Sequence, residues 1–309
     1  MATEPILAAL DVSAVQGRRA VSVSALLDYW ELTKPEINFL IAITTATGFW
    51  IASPAAPAHF PWMALLHALL GTVFVASGAA ALNQVIELRY DAQMRRTARR
   101  PLASGRIPPS HARWFGVSLS VVGVAYLAAM TNGLASLLAA LTLLSYLFLY
   151  TPLKRITPLC TLVGAIPGAA PPLIGSTAAR GHLDSAAWVL FAIVFLWQFP
   201  HFMSIAWMYR EDYGRAGYLV LPAGEIKDRF VAWLSLLPTL GLFAVAMAPA
   251  LRGHFGIVYF AGALVLGCVF LHYSARFALQ RSAASARQLL FASILYLPAL
   301  FALLALDKK

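Results

Sequence analysis

The chain has 309 residues, of which 60% are hydrophobic and only 12% are charged, and its formal net charge is +10. This composition excludes an ordinary soluble domain and is typical of a polytopic membrane protein. The basic residues lie in short loops between apolar segments and match no nucleic-acid-binding module, which excludes that class of protein as well.

Apolar segments of roughly 17 to 25 residues are long enough to cross a bilayer as helices. Nine such crossings are predicted, near residues 36–53, 62–83, 112–130, 133–150, 158–176, 186–207, 230–249, 255–275 and 288–306. We therefore predict an all-α membrane protein. Residues 1–30 are expected to form a cytoplasmic N-terminal tail and residues 31–309 a single transmembrane domain.

Basic residues predict the orientation of this bundle, because cytoplasmic loops of membrane proteins carry an excess of Lys and Arg. With the N-terminus in the cytoplasm, all but four of the 23 basic residues fall on the cytoplasmic side. The four exceptions are Arg180, Arg252, Lys308 and Lys309. The C-terminus is accordingly expected on the outer side, and a bacterial inner membrane is the expected location.

The second predicted crossing ends in a row of oxygen-bearing side chains. Asn83, Glu87 and Asp91 are spaced four residues apart and so lie along one face of a helix. Mg²⁺ prefers such oxygens and commonly keeps positions for water and substrate phosphate. Five arginines follow, whose guanidinium groups can each donate two hydrogen bonds to a phosphate: Arg95, Arg96, Arg99, Arg100 and Arg106. The stretch predicts a site for a metal-bound diphosphate; topology signals and solvated ion pairs are the alternative interpretations.

Other polar residues near the helix ends allow two interpretations each. Lys154 and Arg155 follow the fourth crossing, either as topology signals or as further phosphate cations. Lys34 precedes the first crossing and either reaches the lipid headgroups or faces the site. The fifth crossing is rich in Gly and Pro between Gly164 and Gly175, which predicts a kinked helix beside a cavity.

The sixth crossing contains His201, close to Trp197 and Gln198. A histidine within a membrane helix is a functional candidate, with simple packing as the alternative. Asp212, which follows Glu211 after this crossing, provides a second acidic group at a predicted cytoplasmic helix end.

Two motif regions resemble a known family. One stretch resembles the first signature of the UbiA-type intramembrane prenyltransferases. It reads Asn83-x-x-x-Glu87-x-x-x-Asp91, followed by Met94-x-Arg96-Thr97-x-x-Arg100-Pro101-Leu102. Two later stretches resemble the branch of that family that farnesylates protohaem IX. They are Gln198-x-Pro200-His201-Phe202 and Asp212-Tyr213-x-x-Ala216-Gly217. The resemblance extends from Thr33 to about Tyr296.

The resemblance implies nine helices around a central cavity, farnesyl diphosphate held through Mg²⁺, and protohaem IX as the acceptor. Carried over by position, the catalytic metal ligands are Asn83, Glu87, Asp91 and Asp212. The substrate-binding residues are Arg96, Arg100, Lys154, Arg155 and His201. His201 stands where quinone-pathway members have an acid, so this motif is poorer in carboxylates and the histidine is expected to contact the haem. Haem A synthase or an oxidase assembly factor is the expected protein partner.

Two other functions remain open from the sequence. An aromatic polyprenyltransferase of the quinone pathway would share the fold and the diphosphate site but accept a benzoate or naphthoate. A membrane transporter would use the charges along a transport path. Transporters usually place such groups at the midplane of the membrane, whereas the acids here cluster at one side.

Overall fold

The computed structural model of the protein describes residues 24–54, 60–222, 226–251, 253 and 255–308. Most of the predicted N-terminal tail, namely residues 1–23, lies outside these ranges, as do Arg252 and Lys309. A short helix over residues 24–32 opens the described chain.

Nine long helices make up most of the described residues. They are α1 Pro35–Ala52, α2 Trp62–Asp91, α3 Pro109–Met130, α4 Gly133–Leu153, α5 Cys160–Arg180, α6 Ser185–Met208, α7 Ile226–Leu251, α8 Ile257–Gln280 and α9 Ala283–Leu306. A short helix, Arg210–Arg215, follows α6. Within α4, Ser145–Tyr150 form a π-helical segment.

Eight of the described helices, α2 to α9, are long and apolar enough to cross a membrane. The exception, α1, has 18 residues but includes Glu36, Asn38 and three threonines, which lower its mean hydropathy. The predicted class, an all-α polytopic membrane protein, is confirmed, and each predicted crossing coincides with one helix. The central cavity stays a prediction.

The second helix extends beyond the apolar crossing that the sequence predicted near residues 62–83. It continues through Asp91, so Asn83, Glu87 and Asp91 all lie on helical backbone, as their spacing predicted. The helix continues beyond the apolar run because the polar side chains of its last turns find partners inside the protein.

Side chains on the outer faces of the bundle are apolar, whereas several hydroxyl groups point inward. Val265 and Leu295 are more than half exposed, while Ser77 and Ser235 are buried. This pattern suits a lipid environment, where apolar surface has no cost and polar groups must be satisfied within the protein.

Close contact between α1 and α5 depends on glycine. A Cβ atom at Gly175 would lie 2.0 Å from the backbone oxygen of Thr45, and one at Gly48 would lie 2.2 Å from that of Pro172. The two backbones therefore touch directly, as small residues permit in membrane helices. The predicted kink of the fifth crossing is present, since Ala170 separates two shorter helices, Cys160–Ala169 and Pro171–Arg180.

Different sets of polar contacts hold the two ends of the bundle. At one end, Lys308 Nζ donates to the backbone oxygens of Trp50 at 2.7 Å and Ser53 at 2.5 Å, while Arg180 Nε donates to the oxygen of Ala52. These contacts tie the ends of α1, α5 and α9 together. The opposite end holds the end of α2 and, with it, the predicted diphosphate site.

Candidate active site

Three successive turns at the end of α2 each present one buried oxygen-bearing side chain. Asn83, Glu87 and Asp91 expose only 1%, 5% and 2% of their surface, respectively. We call these three residues the oxygen strip. The helical spacing of four residues places them on one side of α2, as the sequence predicted.

Each member of the oxygen strip contacts a cation from a different part of the chain. Lys34 Nζ donates to Asn83 Oδ1 at 3.1 Å, Lys154 Nζ lies 2.7 Å from Glu87 Oε1, and Arg100 Nη1 lies 2.7 Å from Asp91 Oδ2. Buried charges are tolerated only when they are paired in this way. The strip thus faces a row of three cations, and the sequence predicted two of these, Lys154 and Arg100, as substrate-binding residues.

Lys34 has an unusual backbone and an unusual environment. It adopts a left-handed conformation with φ of 53°, although it is not a glycine, and Pro35 begins α1 immediately after it. Burial, followed by the proximity of Arg100, lowers the pKa of Lys34 to about 7. A strained backbone of this kind persists only when surrounding contacts hold it. Lys34 therefore belongs to the site rather than to the lipid interface.

Lys154 lies among aromatic side chains. Its Nζ is 4.6 Å from the ring centre of Tyr150 and 5.9 Å from that of Tyr218. Burial disfavours the ammonium form, but Tyr150 and the Glu87 carboxylate outweigh it and raise the pKa of Lys154 well above its usual value. The two tyrosines were not predicted from the sequence, although the four-residue spacing of Tyr150 and Lys154 is a signal that could have found one of them. Thr151, also not predicted, accepts a hydrogen bond from Asn83 Nδ2 at 3.2 Å.

The loop after α2 brings the second acidic region to the first. Asp212 is buried, and its Oδ2 accepts a hydrogen bond from the backbone N–H of Arg96 at 3.3 Å. Its other oxygen pairs with Arg215 in the same short helix. Asp212 therefore adjoins the arginine loop, as the resemblance implied.

Two predicted substrate-binding arginines are exposed at the rim of this region. The Arg96 guanidinium lies 5.2 Å from the ring centre of Tyr209. Arg155 Nη1 donates to the Tyr90 hydroxyl at 2.5 Å, and its guanidinium lies over the same ring at 4.4 Å. Contact with an aromatic ring holds each guanidinium group in place and leaves N–H groups that can donate to an anion.

His201 has different neighbours from the other predicted site residues. It stacks on Trp197 with ring centres 4.6 Å apart, and its Nδ1 lies 2.8 Å from Ser293 Oγ in α9. Its hydrogen bond thus goes to α9 and not to the oxygen strip.

The donor set at the end of α2 fits Mg²⁺ only when a ligand completes the coordination. Among the described residues, no three Asp, Glu, His or Cys side chains converge as a metal centre. Glu87 and Asp91 nevertheless offer two carboxylates one helical turn apart, with the Asn83 amide oxygen one turn earlier. Because Mg²⁺ commonly takes one or two protein carboxylates plus water and substrate phosphates, these residues fit it.

Comparison with curated proteins finds relatives along nearly the whole chain. A Protoheme IX farnesyltransferase of Solibacter usitatus is 48% identical over 287 residues, covering 91% of this chain and 98% of the relative. The Protoheme IX farnesyltransferase of Koribacter versatilis is 45% identical, covering 92% of this chain and 94% of the relative.

Solved structures share the fold at low sequence identity. A digeranylgeranylglyceryl phosphate synthase structure matches with a TM-score of 0.73 at 18% identity, covering 91% of this chain and 98% of that one. The apo structure of a UbiA homolog from Aeropyrum pernix K1 matches with a TM-score of 0.69 at 21% identity, covering 87% and 98%. The sequence model of the UbiA prenyltransferase family matches residues 41–296. The chain therefore belongs to the UbiA prenyltransferase family.

Proposed function

We infer that the protein transfers the farnesyl group of farnesyl diphosphate to a vinyl group of protohaem IX, which makes haem O. One structural observation carries the diphosphate half of this inference, namely the buried oxygen strip with its three facing cations. The acceptor half is supported by the relatives, which are 37% to 48% identical and carry the name Protoheme IX farnesyltransferase.

The oxygen strip and the three cations that face it suit a substrate that carries both a metal cation and a diphosphate anion. In the described structure the oxygen strip and the cations satisfy each other. Glu87 and Asp91 would hold the metal of a magnesium-bound diphosphate, while Lys154 and Arg100 would donate to its phosphate oxygens. Neither row is then left unpaired, so the desolvation cost of the buried charges is already met before the substrate arrives.

The charges then favour cleavage of the bond between the farnesyl carbon and the diphosphate oxygen. Negative charge accumulates on the leaving diphosphate, so donors placed there stabilise the transition state more than the ground state. Bound Mg²⁺ would supply further positive charge at the same oxygens. We propose Asn83, Glu87, Asp91 and Asp212 as its ligands, with Arg96 and Arg155 as additional diphosphate donors.

The apolar bundle accommodates the rest of the reaction. The vinyl group attacks the farnesyl carbon, and the resulting cation beside the porphyrin takes up water and releases a proton to give the hydroxyethylfarnesyl group. Fifteen carbons at about 0.8 kcal/mol each give an upper bound of ~12 kcal/mol for burying the farnesyl chain in the bundle or lipid. We propose His201, which lies in the apolar part of α6, as a residue that binds the haem.

The acceptor distinguishes this function from its nearest alternative. A quinone-pathway aromatic polyprenyltransferase has the same fold and a similar diphosphate site. The names of the relatives and the histidine at position 201 both favour haem.

The charged end of the bundle is proposed to face the cytoplasm of a bacterial cell, with the protein in the inner membrane. The N-terminus would then lie inside and the C-terminus outside. A haem A synthase or an oxidase assembly factor is the proposed recipient of the product, because a lipophilic haem needs direct transfer.

Expression in a host that lacks haem O tests the function. We expect a new extracted haem whose mass exceeds that of protohaem by a farnesyl group plus a hydroxyl group, with an empty-vector culture as control. Unchanged protohaem would contradict the inference. Prenylation of hydroxybenzoate instead of haem would favour the quinone-pathway alternative.

Removal of either carboxylate charge from the oxygen strip should abolish most turnover. For Glu87→Gln and Asp91→Asn we expect kcat to fall by about 10²–10³-fold, the range seen when a group that stabilises transition-state charge is removed. EDTA should have a similar effect on the unmodified protein, and added Mg²⁺ should reverse it. The matched control is Glu211→Gln, an exposed acid beside Asp212. Full turnover by both strip variants would exclude this role.

A double-mutant cycle should separate stability from catalysis at the Glu87–Lys154 pair. Lys154→Met leaves a buried carboxylate unpaired and should lower the free energy of unfolding in micelles by about 3–5 kcal/mol. Adding Glu87→Gln should recover much of that stability and none of the activity. Asp228→Asn, which breaks the more exposed pair with Arg281, should change stability by less than about 1 kcal/mol. Additive losses in the double variant would show that the pair is not coupled.

The orientation can be measured with reporters fused to the C-terminus. Alkaline phosphatase is active only outside the cytoplasm, and we expect an active fusion, since the positive-inside rule places this terminus there. A green fluorescent protein fusion should be dark for the same reason. The reverse pair of results would contradict the proposed orientation.

A further inference from the structure

His201 lies in a tightly defined setting inside α6. Its ring stacks on Trp197 at an interplanar angle of 21° and meets Phe202 edge-on, with ring centres 5.5 Å apart. On the side towards α9, its Nδ1 lies 2.8 Å from Ser293 Oγ. Ser293 is completely buried, with 0% exposure. The imidazole is therefore held by two aromatic rings and one hydroxyl group.

The hydrogen bonds of Ser293 determine which nitrogen of His201 carries the proton. Ser293 Oγ lies 2.6 Å from the backbone oxygen of Leu290. Two oxygen atoms approach this closely only when a proton lies between them, so the hydroxyl donates to Leu290. A serine hydroxyl has one proton, and therefore it can only accept from His201. Nδ1 is then the protonated nitrogen, and Nε2 carries the free lone pair.

A second contact fixes Ser293 relative to the same ring system. Trp197 Nε1 donates to the Ser293 backbone oxygen at 2.8 Å. The indole that stacks on His201 thus also anchors the turn of α9 that accepts the histidine proton. His201 Nε2 makes no hydrogen bond to any part of the chain that the structure describes. The arrangement holds one tautomer and leaves its acceptor nitrogen available.

We propose that Ser293 is a positioning residue that holds His201 in the Nδ1–H tautomer, so that Nε2 ligates the iron of the haem acceptor. This inference rests on the proposed function. Histidine ligands of metals bind through one nitrogen and donate the other N–H to an oxygen, which orients the ring and raises its basicity. Ser293 provides that oxygen without competing for the lone pair.

The position of His201 along α6 agrees with this role. It precedes the end of the helix at Met208 by seven residues, a rise of about 10 Å along the axis. His201 therefore lies deeper among apolar side chains than the charged end of the bundle. An iron ligand at this depth would hold the porphyrin in the apolar interior and leave the charged end to the diphosphate.

Spectroscopy of haem b bound to the full-length protein in detergent micelles tests the proposal. In the reduced unmodified protein we expect an iron–histidine stretching band by resonance Raman, and in His201→Ala we expect that band to be lost. Ser293→Ala should shift the band to lower frequency, because the imidazole loses its hydrogen-bond acceptor. The same variant should weaken haem binding by about 10-fold or more, as loss of an outer-shell partner does.

Matched variants separate positioning from simple packing. Ser293→Thr keeps a hydroxyl that can donate to the preceding turn and should restore both the band and the affinity. Ser235→Ala removes another fully buried serine whose hydroxyl donates within its own helix, to Val231, and should leave both unchanged. Iron-free protoporphyrin IX should bind Ser293→Ala and the unmodified protein equally well, because the hydrogen bond acts through the iron.

Two results would overturn the proposal. A band that persists in His201→Ala would exclude His201 as the ligand, and an unshifted band in Ser293→Ala would exclude the positioning role. Either result is compatible with farnesyl transfer by the unmodified protein. Failure of the unmodified protein to farnesylate haem would instead remove the proposed function itself.

Discussion

Pairing of buried charge is the constraint on which this structure depends. A carboxylate or ammonium group inside an apolar bundle is tolerated only beside an opposite charge, and the end of α2 buries two carboxylates and an amide. Their partners come from three other segments: Lys34 before α1, Arg100 in the loop after α2, and Lys154 after α4. The same contacts that satisfy these charges therefore assemble one end of the bundle.

This arrangement links stability to function. The proposed site for a metal-bound diphosphate needs anions and cations close together, and in the absence of substrate these groups can neutralise each other. The strained backbone of Lys34 and the aromatic surroundings of Lys154 show how tightly the cations are held. The rest of the bundle contributes an apolar surface and close helix contacts, such as that between Gly175 and Thr45.

The predicted site residues lie in two parts of the structure. Asp212 joins the first part, because its carboxylate accepts the backbone N–H of Arg96 in the loop that follows the oxygen strip. His201 belongs to a second part, deeper in α6, where Trp197 and Ser293 fix its orientation. A reaction between a water-soluble diphosphate group and a lipophilic acceptor suits such a division, since one substrate end needs charge and the other needs an apolar pocket.

The sequence by itself determined the membrane class and the helices, and it predicted most of the charged residues of the candidate site. Hydrophobic length is a local property, and so is the four-residue spacing that places Asn83, Glu87 and Asp91 on one face of a helix. The bounds of the crossings were less precise, because the length of an apolar run does not define where the polar turns of a helix end. Only the tertiary structure decided that Lys34 faces Asn83, that Tyr218 lies beside Lys154, and that Ser293 accepts the proton of His201. Those contacts join residues dozens of positions apart, and no local pattern specifies which distant side chain will satisfy a buried polar group.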